Sequence, residues 1–168
     1  MTRSRDPRVA APRSFLLRTS SPQQTEALGR ALGALLRAGD VVALSGDLGA
    51  GKTILTRGIA AGAGATGHIA SPTFTLIREY RGPVTIFHAD LYRLEEPAQF
   101  EDIGLEEALD SGGIVVIEWA EKAGPLLPAE YLWAELRFTE QDTSREIEFI
   151  PRGSRFAGIA GRLVSMPR

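Results

Sequence analysis

The chain has 168 residues, of which 43% are hydrophobic, and this is enough to fill the core of a single domain. It contains no cysteine, which excludes disulfides, thiolate metal sites and thiol nucleophiles. The net charge of -2 argues against an extended basic surface that binds nucleic acid directly. Along the chain no apolar run approaches the roughly 18 residues of a membrane-spanning helix, so we expect a cytoplasmic protein without membrane contact.

The first residues carry several arginines among proline, serine and alanine, without periodicity. This composition predicts a disordered tail at residues 1–13, followed by one domain over residues 14–168. A transit peptide is the alternative, but Asp6 and the lack of an amphipathic pattern disfavour it.

A short strand and a helix are predicted next. Residues 15–17 are apolar and predict the strand. Ser21 is a suitable helix N-cap, Pro22 suits the first helical position, and Gln24 can reach back as in a capping box. Leucine and alanine then recur at helical spacing, and Gly39 is expected to end the helix.

The rest of the chain alternates between strand and helix patterns. Residues 41–44 form a continuous apolar run, which predicts a strand buried on both faces of a parallel sheet. Acidic and apolar residues are interleaved over 94–109 and predict short surface helices. Five further strands are predicted at residues 76–80, 84–87, 114–117, 133–138 and 146–150, with a turn at 81–83.

A glycine-rich loop with the pattern G-x-x-x-x-G-K-T follows the strand at 41–44 and precedes a helix that includes Ile54. The loop consists of Gly46, Asp47, Leu48, Gly49, Ala50, Gly51, Lys52 and Thr53. Its glycines let backbone N–H groups surround an anion, Lys52 would reach the β- and γ-phosphates, and the Thr53 hydroxyl would bind Mg2+. The alternative is a hairpin that ends in Lys-Thr by chance, but the strand and helix on either side favour a nucleotide site.

These patterns together predict a P-loop NTPase-like fold, an α/β three-layer sandwich with a mixed, mostly parallel central sheet. Only two lysines are present, Lys52 and Lys122, and neither has an aspartate two positions later, as a guanine-binding loop requires. The expected cofactors are therefore ATP and Mg2+.

The apolar segments at 85–90 and 114–118, which contain two of the predicted strands, end in acids, Asp90 and Glu118. Beside the glycine-rich loop, either carboxylate could hold Mg2+ through water or orient the attacking water. The residues alone do not separate these roles. The alternative for each is an ordinary acid in a solvated turn.

Each of three other residues could be functional or structural. Thr73 lies among hydroxyl residues at 71–75 and could sense the γ-phosphate as a switch loop does, or form an ST-turn. His88, near a strand end, is expected to be structural. Trp119 follows Glu118 and is either a core residue or an exposed anchor for a partner.

Four sequence blocks in this order resemble the TsaE family, also called YjeE, and the resemblance spans about residues 14 to 150. The blocks are residues 46–53, 71–76, 88–94 and 117–119. The loop alone is generic, whereas the later blocks in this order are specific to the family.

The resemblance implies a role for each of five residues. Glu118 stands where the family has its Mg-associated Walker B-type acid, and Asp90 matches a second functional acid near the nucleotide. Thr73 matches the switch-like threonine and Trp119 the tryptophan beside the acid. Arg145 falls where the family places a basic residue near the nucleotide.

The resemblance also implies an activity: an ATP-hydrolysing accessory subunit in the formation of N6-threonylcarbamoyladenosine in tRNA. Such a subunit acts with TsaD and TsaB, is a weak ATPase alone, and meets tRNA only through the complex. Two other functions remain open. One is a small-molecule P-loop kinase, although the sequence has no convincing lid insertion, and the other is a non-hydrolysing ATP sensor.

Overall fold

A seven-stranded sheet forms the centre of the protein, in the strand order β1-β7-β6-β2-β5-β4-β3. The computed structural model describes residues 13–69, 76–96 and 98–167. The strands are β1 (Phe15–Thr19), β2 (Val41–Gly46), β3 (Ile77–Tyr80), β4 (Ile86–Asp90), β5 (Ile114–Glu118), β6 (Tyr131–Phe138) and β7 (Arg145–Arg152). The helices are α1 (Pro22–Gly33), α2 (Lys52–Gly62), α3 (Ala98–Asp102), α4 (Leu105–Asp110) and α5 (Ser154–Ser165), with short 3₁₀ helices at Ala120–Lys122 and Gly124–Leu126.

The middle of the sheet is parallel and its margins are antiparallel. Strand β2 pairs in parallel with both β5 and β6, and β4 pairs in parallel with β5. Antiparallel pairs join β6 to β7, β7 to β1, and β4 to β3. The predicted mixed, mostly parallel sheet is therefore confirmed at its centre. Because β2, β4 and β5 run the same way, their C-terminal ends meet at one edge.

Strand β2 is buried on both faces, as its apolar run predicts. Val42 and Leu44 pack into a core that includes side chains of α1, α2 and α5. Val41 and Ala43 point the other way, into a second core with side chains of α3 and α4. None of these four side chains is more than 3% exposed. The α/β three-layer sandwich is thus confirmed.

The start of α1 follows the prediction, but its end does not. Ser21 is the N-cap and accepts a hydrogen bond from the Gln24 amide (3.1 Å), while the Gln24 side chain accepts from the amide of Ser20 (2.8 Å) and not from that of Ser21. The helix ends at Gly33, so the expected end at Gly39 is wrong.

The helical spacing of the leucines continues past Gly33 because tighter turns keep them against the core. The amide of Leu35 donates to the Leu32 carbonyl (2.9 Å), and that of Leu36 donates to the Gly33 carbonyl (3.2 Å). These bonds span three residues, whereas an α-helix spans four. Gly39, with φ of 89°, belongs instead to the turn that leads into β2.

Three other differences concern boundaries and coverage. Helix α5 has no counterpart in the prediction, although Phe156, Ile159, Ala160 and Leu163 are buried at helical spacing. The strand predicted at 84–87 is β4, which begins later and extends to Asp90. The predicted tail, apart from residue 13, lies outside the described residues. Within the described ranges, no helix has the length and apolar character needed to cross a bilayer.

Helices α1 and α2 approach closely through glycines. A Cβ atom at Gly58 would lie 2.1 Å from the Glu26 carbonyl oxygen, and one at Gly33 would lie 2.0 Å from that of Ile59. These atoms are backbone and cannot rotate away. The contact therefore fixes where α2 lies over the sheet.

We predict that Gly58→Ala lowers the free energy of unfolding by about 2 kcal/mol or more, because the added methyl group overpacks the α1–α2 contact. The matched control is Gly158→Ala in α5, where a Cβ atom would meet no atom of the described residues within 4 Å. That control should be neutral or stabilising by up to about 1 kcal/mol, since alanine is the better helix former. Urea denaturation measures both variants, and equal stability of the two would contradict the packing argument.

Candidate functional site

The loop between β2 and α2 has a backbone that only glycine adopts readily. Gly46, Gly49 and Gly51 have φ of 143°, 81° and 105°. At Gly46 a Cβ atom would also lie 2.5 Å from the Leu136 carbonyl oxygen on the neighbouring strand β6. Both constraints explain why glycine stands at these positions. The loop therefore keeps a conformation that side chains would otherwise prevent.

The N-terminus of α2 follows directly on this loop. Gly51 is its N-cap, and among the described residues no side chain accepts a hydrogen bond from the first turn as a cap. The first turn contains no acidic residue either. Amide groups at a helix start carry partial positive charge and favour an anion. The start of α2 is thus available to an anionic ligand.

Lys52 is buried inside the loop. Lys52 is 5% exposed. Its ammonium group donates hydrogen bonds to the carbonyl of Gly46 and to the carbonyl of Asp47, the latter at 2.9 Å. The ammonium nitrogen also lies 4.1 Å from the centre of the Trp119 ring. Burial lowers the pKa of Lys52, and neighbouring carboxylates, Glu118 first among them, oppose this effect.

Glu118 at the end of β5 connects three elements. It is 2% exposed. Its Oε2 accepts a hydrogen bond from the Thr53 hydroxyl of α2 (3.2 Å). Its Oε1 lies 2.9 Å from Nε2 of His88 on β4 and 3.3 Å from the hydroxyl of Thr56 on α2. The carboxylate thus joins the helix after the loop to two neighbouring strands.

Asp90 lies beside Glu118, because the two residues are register partners in the parallel pair β4–β5. One Asp90 oxygen accepts a hydrogen bond from the Tyr92 amide (3.0 Å). Burial raises the pKa of Asp90, the hydrogen bond from Tyr92 lowers it, and the charge of Glu118 raises it. The structure therefore brings both strand-end acids to the same edge of the sheet as the loop.

Trp119 has a left-handed backbone, with φ of 58°, which is the one positive φ of a non-glycine residue within the described ranges. Its ring contacts the Tyr92 ring at a centroid distance of 4.9 Å. The side chain is half-buried and packs partly against the second core. Such a conformation costs about 1–3 kcal/mol and is held by the contacts around it.

Arg145 reaches the loop from the first residue of β7. Its guanidinium donates to the carbonyls of Ala50 (3.1 Å) and Gly49 (3.3 Å) and lies 4.5 Å from the centre of the Phe138 ring. The family resemblance indicates a position near the loop, but no local pattern does. No local pattern predicts the contacts of His88 and Thr56 with Glu118 either. Glu118 lies 30 positions from His88 and 62 positions from Thr56 along the chain.

The remaining predicted residues differ in accessibility. Asp47, Leu48 and Gly49 are exposed at the tip of the loop, with Leu48 at 69%, whereas Ala50 is buried. The predicted switch residue Thr73, with the whole segment 71–75, lies outside the described residues. The structure thus brings together Lys52, Thr53, Asp90, Glu118 and the loop, while the role of Thr73 stays a prediction.

The protein is a P-loop protein. It has a sheet that is parallel at its centre, a G-x-x-x-x-G-K-T loop at the end of β2 and a helix directly after this loop. Comparison with known proteins identifies the family. The family model described as "Threonylcarbamoyl adenosine biosynthesis protein TsaE" matches residues 19–147. The chain belongs to the TsaE family.

Individual relatives agree with this assignment. The chain is 41% identical to "tRNA threonylcarbamoyladenosine biosynthesis protein TsaE" of Bacillus subtilis over 87% of this chain and 91% of that protein. It is 43% identical to the protein of the same name from Treponema pallidum over 76% of this chain and 93% of that protein. The crystal structure of Bacillus subtilis YdiB matches with a TM-score of 0.79 and 34% identity, covering 92% of this chain and 97% of that one.

The raised pKa of Asp90 predicts a pH-dependent stability. Between the ordinary value of 3.8 and the raised folded value, the folded protein binds more protons than the unfolded chain. Stability therefore falls as the pH rises through the folded pKa. Asp90→Asn removes the cost of ionising this buried carboxyl group. The variant should therefore have a higher free energy of unfolding than the wild type at about pH 7, and the difference should shrink toward about pH 4.

Urea denaturation across this pH range, without nucleotide or divalent cation, measures the difference. The asparagine side chain would keep an oxygen that can accept from the Tyr92 amide. The control is Asp142→Asn, at an exposed position, which should follow the wild-type pH dependence. A parallel pH dependence of Asp90→Asn and the wild type would show that burial of Asp90 is not costly.

Proposed function

We propose that this protein is a Mg-dependent ATPase that serves, in the cytoplasm, as an accessory subunit in the N6-threonylcarbamoyladenosine modification of tRNA. The observation that carries the proposal is the 3.2 Å contact between the Thr53 hydroxyl and Glu118 Oε2. It joins a hydroxyl at the start of α2 to an acid at the end of the neighbouring strand. A P-loop NTPase uses this pair of groups for Mg2+.

The loop residues fit a triphosphate. Gly46, Gly49 and Gly51 hold the backbone in positive φ, which lets successive amides converge on an anion. Lys52 supplies the ammonium group inside the loop, and α2 directs its N-terminus to the same place. Neither lysine has an aspartate two positions later, so adenine is favoured over guanine.

The acids fit Mg2+ in the form that accompanies nucleotides. The described residues contain no cluster of three or more His, Cys, Asp or Glu side chains suited to a metal ion. Mg2+ in nucleotide sites commonly takes one or two carboxylates, phosphate oxygens and water, and needs no such cluster. When bound, it neutralises charge on the β- and γ-phosphates. We assign Thr53 and Glu118 to the metal, and Asp90 to orienting the attacking water.

The biological role rests on the family. The relatives from Bacillus subtilis and Treponema pallidum are named as tRNA threonylcarbamoyladenosine biosynthesis proteins. The net charge of -2 supports an indirect role, since direct binding of tRNA usually needs a basic surface. We therefore propose that residues 14–168 act as one domain that works with TsaD and TsaB, and that tRNA is bound by the complex.

We predict slow release of phosphate from ATP that requires Mg2+. Lys52→Ala and Glu118→Gln should each lower this rate by about 100-fold or more. The first variant loses the ammonium group that stabilises the developing phosphate charge, and the second loses a carboxylate that would hold Mg2+. Glu118→Gln should still bind ATP, whereas Lys52→Ala should not. Arg57→Gln is the control, because Arg57 lies on α2 with a half-exposed side chain, and its one ion pair within the described part of the chain is a long one to Glu26 (3.8 Å).

Colorimetric phosphate release and calorimetry with ATP, GTP and ADP measure these effects. ATP that stays intact for hours in the bound state would identify a sensor. ATP consumption that depends on a small-molecule acceptor would identify a kinase. Equal rates for Lys52→Ala and the wild type would contradict the proposed site.

We further predict that ATP promotes association with TsaD and TsaB and that the protein supports repeated rounds of tRNA modification. Gel filtration of the mixture and a modification assay with tRNA in excess over enzyme measure this. Lys52→Ala should support at most a single round. A wild-type protein that neither associates with the pair nor raises product above one equivalent would refute the accessory role.

A further inference from the structure

The two oxygens of Glu118 have different surroundings. Oε2 faces Thr53 at the start of α2, where we assign Mg2+. Oε1 is turned toward the protein interior, to His88 and Thr56. A carboxylate on a single flexible side chain does not keep such a division by itself. Something must hold its inner oxygen.

Thr56 is a weak candidate for this task. Its hydroxyl lies 2.8 Å from the Lys52 carbonyl oxygen and 3.3 Å from Glu118 Oε1. A hydroxyl has one hydrogen to donate, and the shorter contact is with the Lys52 carbonyl. This is the usual bond from a helical threonine to the carbonyl one turn earlier. Thr56 therefore does not hold Glu118 Oε1, and His88 is the other described residue in contact with this oxygen.

His88 is placed to hold the inner oxygen. It lies on β4 opposite Val116, two positions before the register pair Asp90 and Glu118, so all four residues point to the same face of the sheet. The ring is 1% exposed, and its Nε2 lies 2.9 Å from Glu118 Oε1. Rigid packing in a strand keeps the ring in place.

The hydrogen on the ring can be assigned from its neighbours. A carboxylate only accepts, so Nε2 carries the hydrogen that it shares with Glu118. The other nitrogen, Nδ1, lies 3.5 Å from the hydroxyl of Tyr80 on β3. Strands β3, β4 and β5 thus each contribute one residue to a row that ends at Glu118.

We propose that His88 is a positioning residue for the Mg-associated acid, which it holds through Nε2–H so that Oε2 faces Thr53. The inference rests on the proposed function, because it takes Glu118 as that acid. His88 does not contact the metal or the nucleotide in this account. Partners of metal ligands orient those ligands, and their loss typically costs 10–100-fold in metal affinity or activity.

Two substitutions separate this role from simple packing. His88→Gln carries an amide nitrogen the same number of bonds from Cα as Nε2, so it can still donate to Glu118. His88→Asn places its amide near Nδ1 and cannot reach Glu118. Both variants keep a polar side chain in the same buried place, and denaturation with urea reports their stabilities.

The first measurement uses calorimetry to determine how binding of a non-hydrolysable ATP analogue depends on the Mg2+ concentration. His88→Asn should raise the Mg2+ concentration for half-saturation by about tenfold or more, with binding in the absence of Mg2+ unchanged. His88→Gln should stay within about threefold of the wild type, because it keeps the donor that orients the acid. Equal Mg2+ dependence of the wild type and His88→Asn would overturn the inference, as would equal defects in the two variants.

The second measurement needs no ligand. A long-range 1H–15N spectrum reports which nitrogen of each histidine ring carries hydrogen. The chain has only one other histidine, His68, and the signals that disappear in a His68→Gln variant are those of His68. Hydrogen on Nε2 of His88 is expected, and hydrogen on Nδ1 alone would overturn the inference. Wild-type binding that ignores Mg2+ would instead refute the proposed function, and with it the role of the acid that His88 holds.

Discussion

The hydrogen bonds of Glu118 are the interaction on which the site depends. The residue ends β5, the strand next to β2, and accepts from Thr53 at the start of α2. The loop between β2 and α2 is therefore fixed at its far end by a neighbouring strand. On the opposite side Arg145 donates to the carbonyls of Gly49 and Ala50. The loop is therefore held from both sides, and such contacts reduce the cost of ordering it when a ligand binds.

The helices contribute to the same arrangement. Glycines at the α1–α2 contact allow the backbones to approach closely, so α2 takes one position over the sheet. This position sets where Thr53 and Lys52 lie relative to the strand ends. Trp119 adds a local constraint, since its ring covers the Lys52 ammonium while its backbone stays left-handed. Packing far from the loop and strain near it thus serve the same geometry.

Local sequence patterns predict the loop, the buried strand before it and the strand-end acids Asp90 and Glu118, because each depends on neighbours in the chain. The contacts of His88 and Arg145 are not predictable in this way. His88 meets Glu118 only through the register of β4 on β5, and Arg145 meets residues 96 and 95 positions away. The end of α1 is missed because tight turns continue its leucine spacing beyond the helix. Helix α5, in contrast, has a spacing that could have been recognised.

The central claim is that residues 46–53 hold a triphosphate whose Mg2+ lies against Thr53 and Glu118. A crystal structure of the protein with Mg2+ and a non-hydrolysable ATP analogue tests it most directly. We expect phosphate density within the loop and a metal ion next to both side chains. A nucleotide bound elsewhere, with the Lys52 ammonium still on the Gly46 and Asp47 carbonyls, would contradict it.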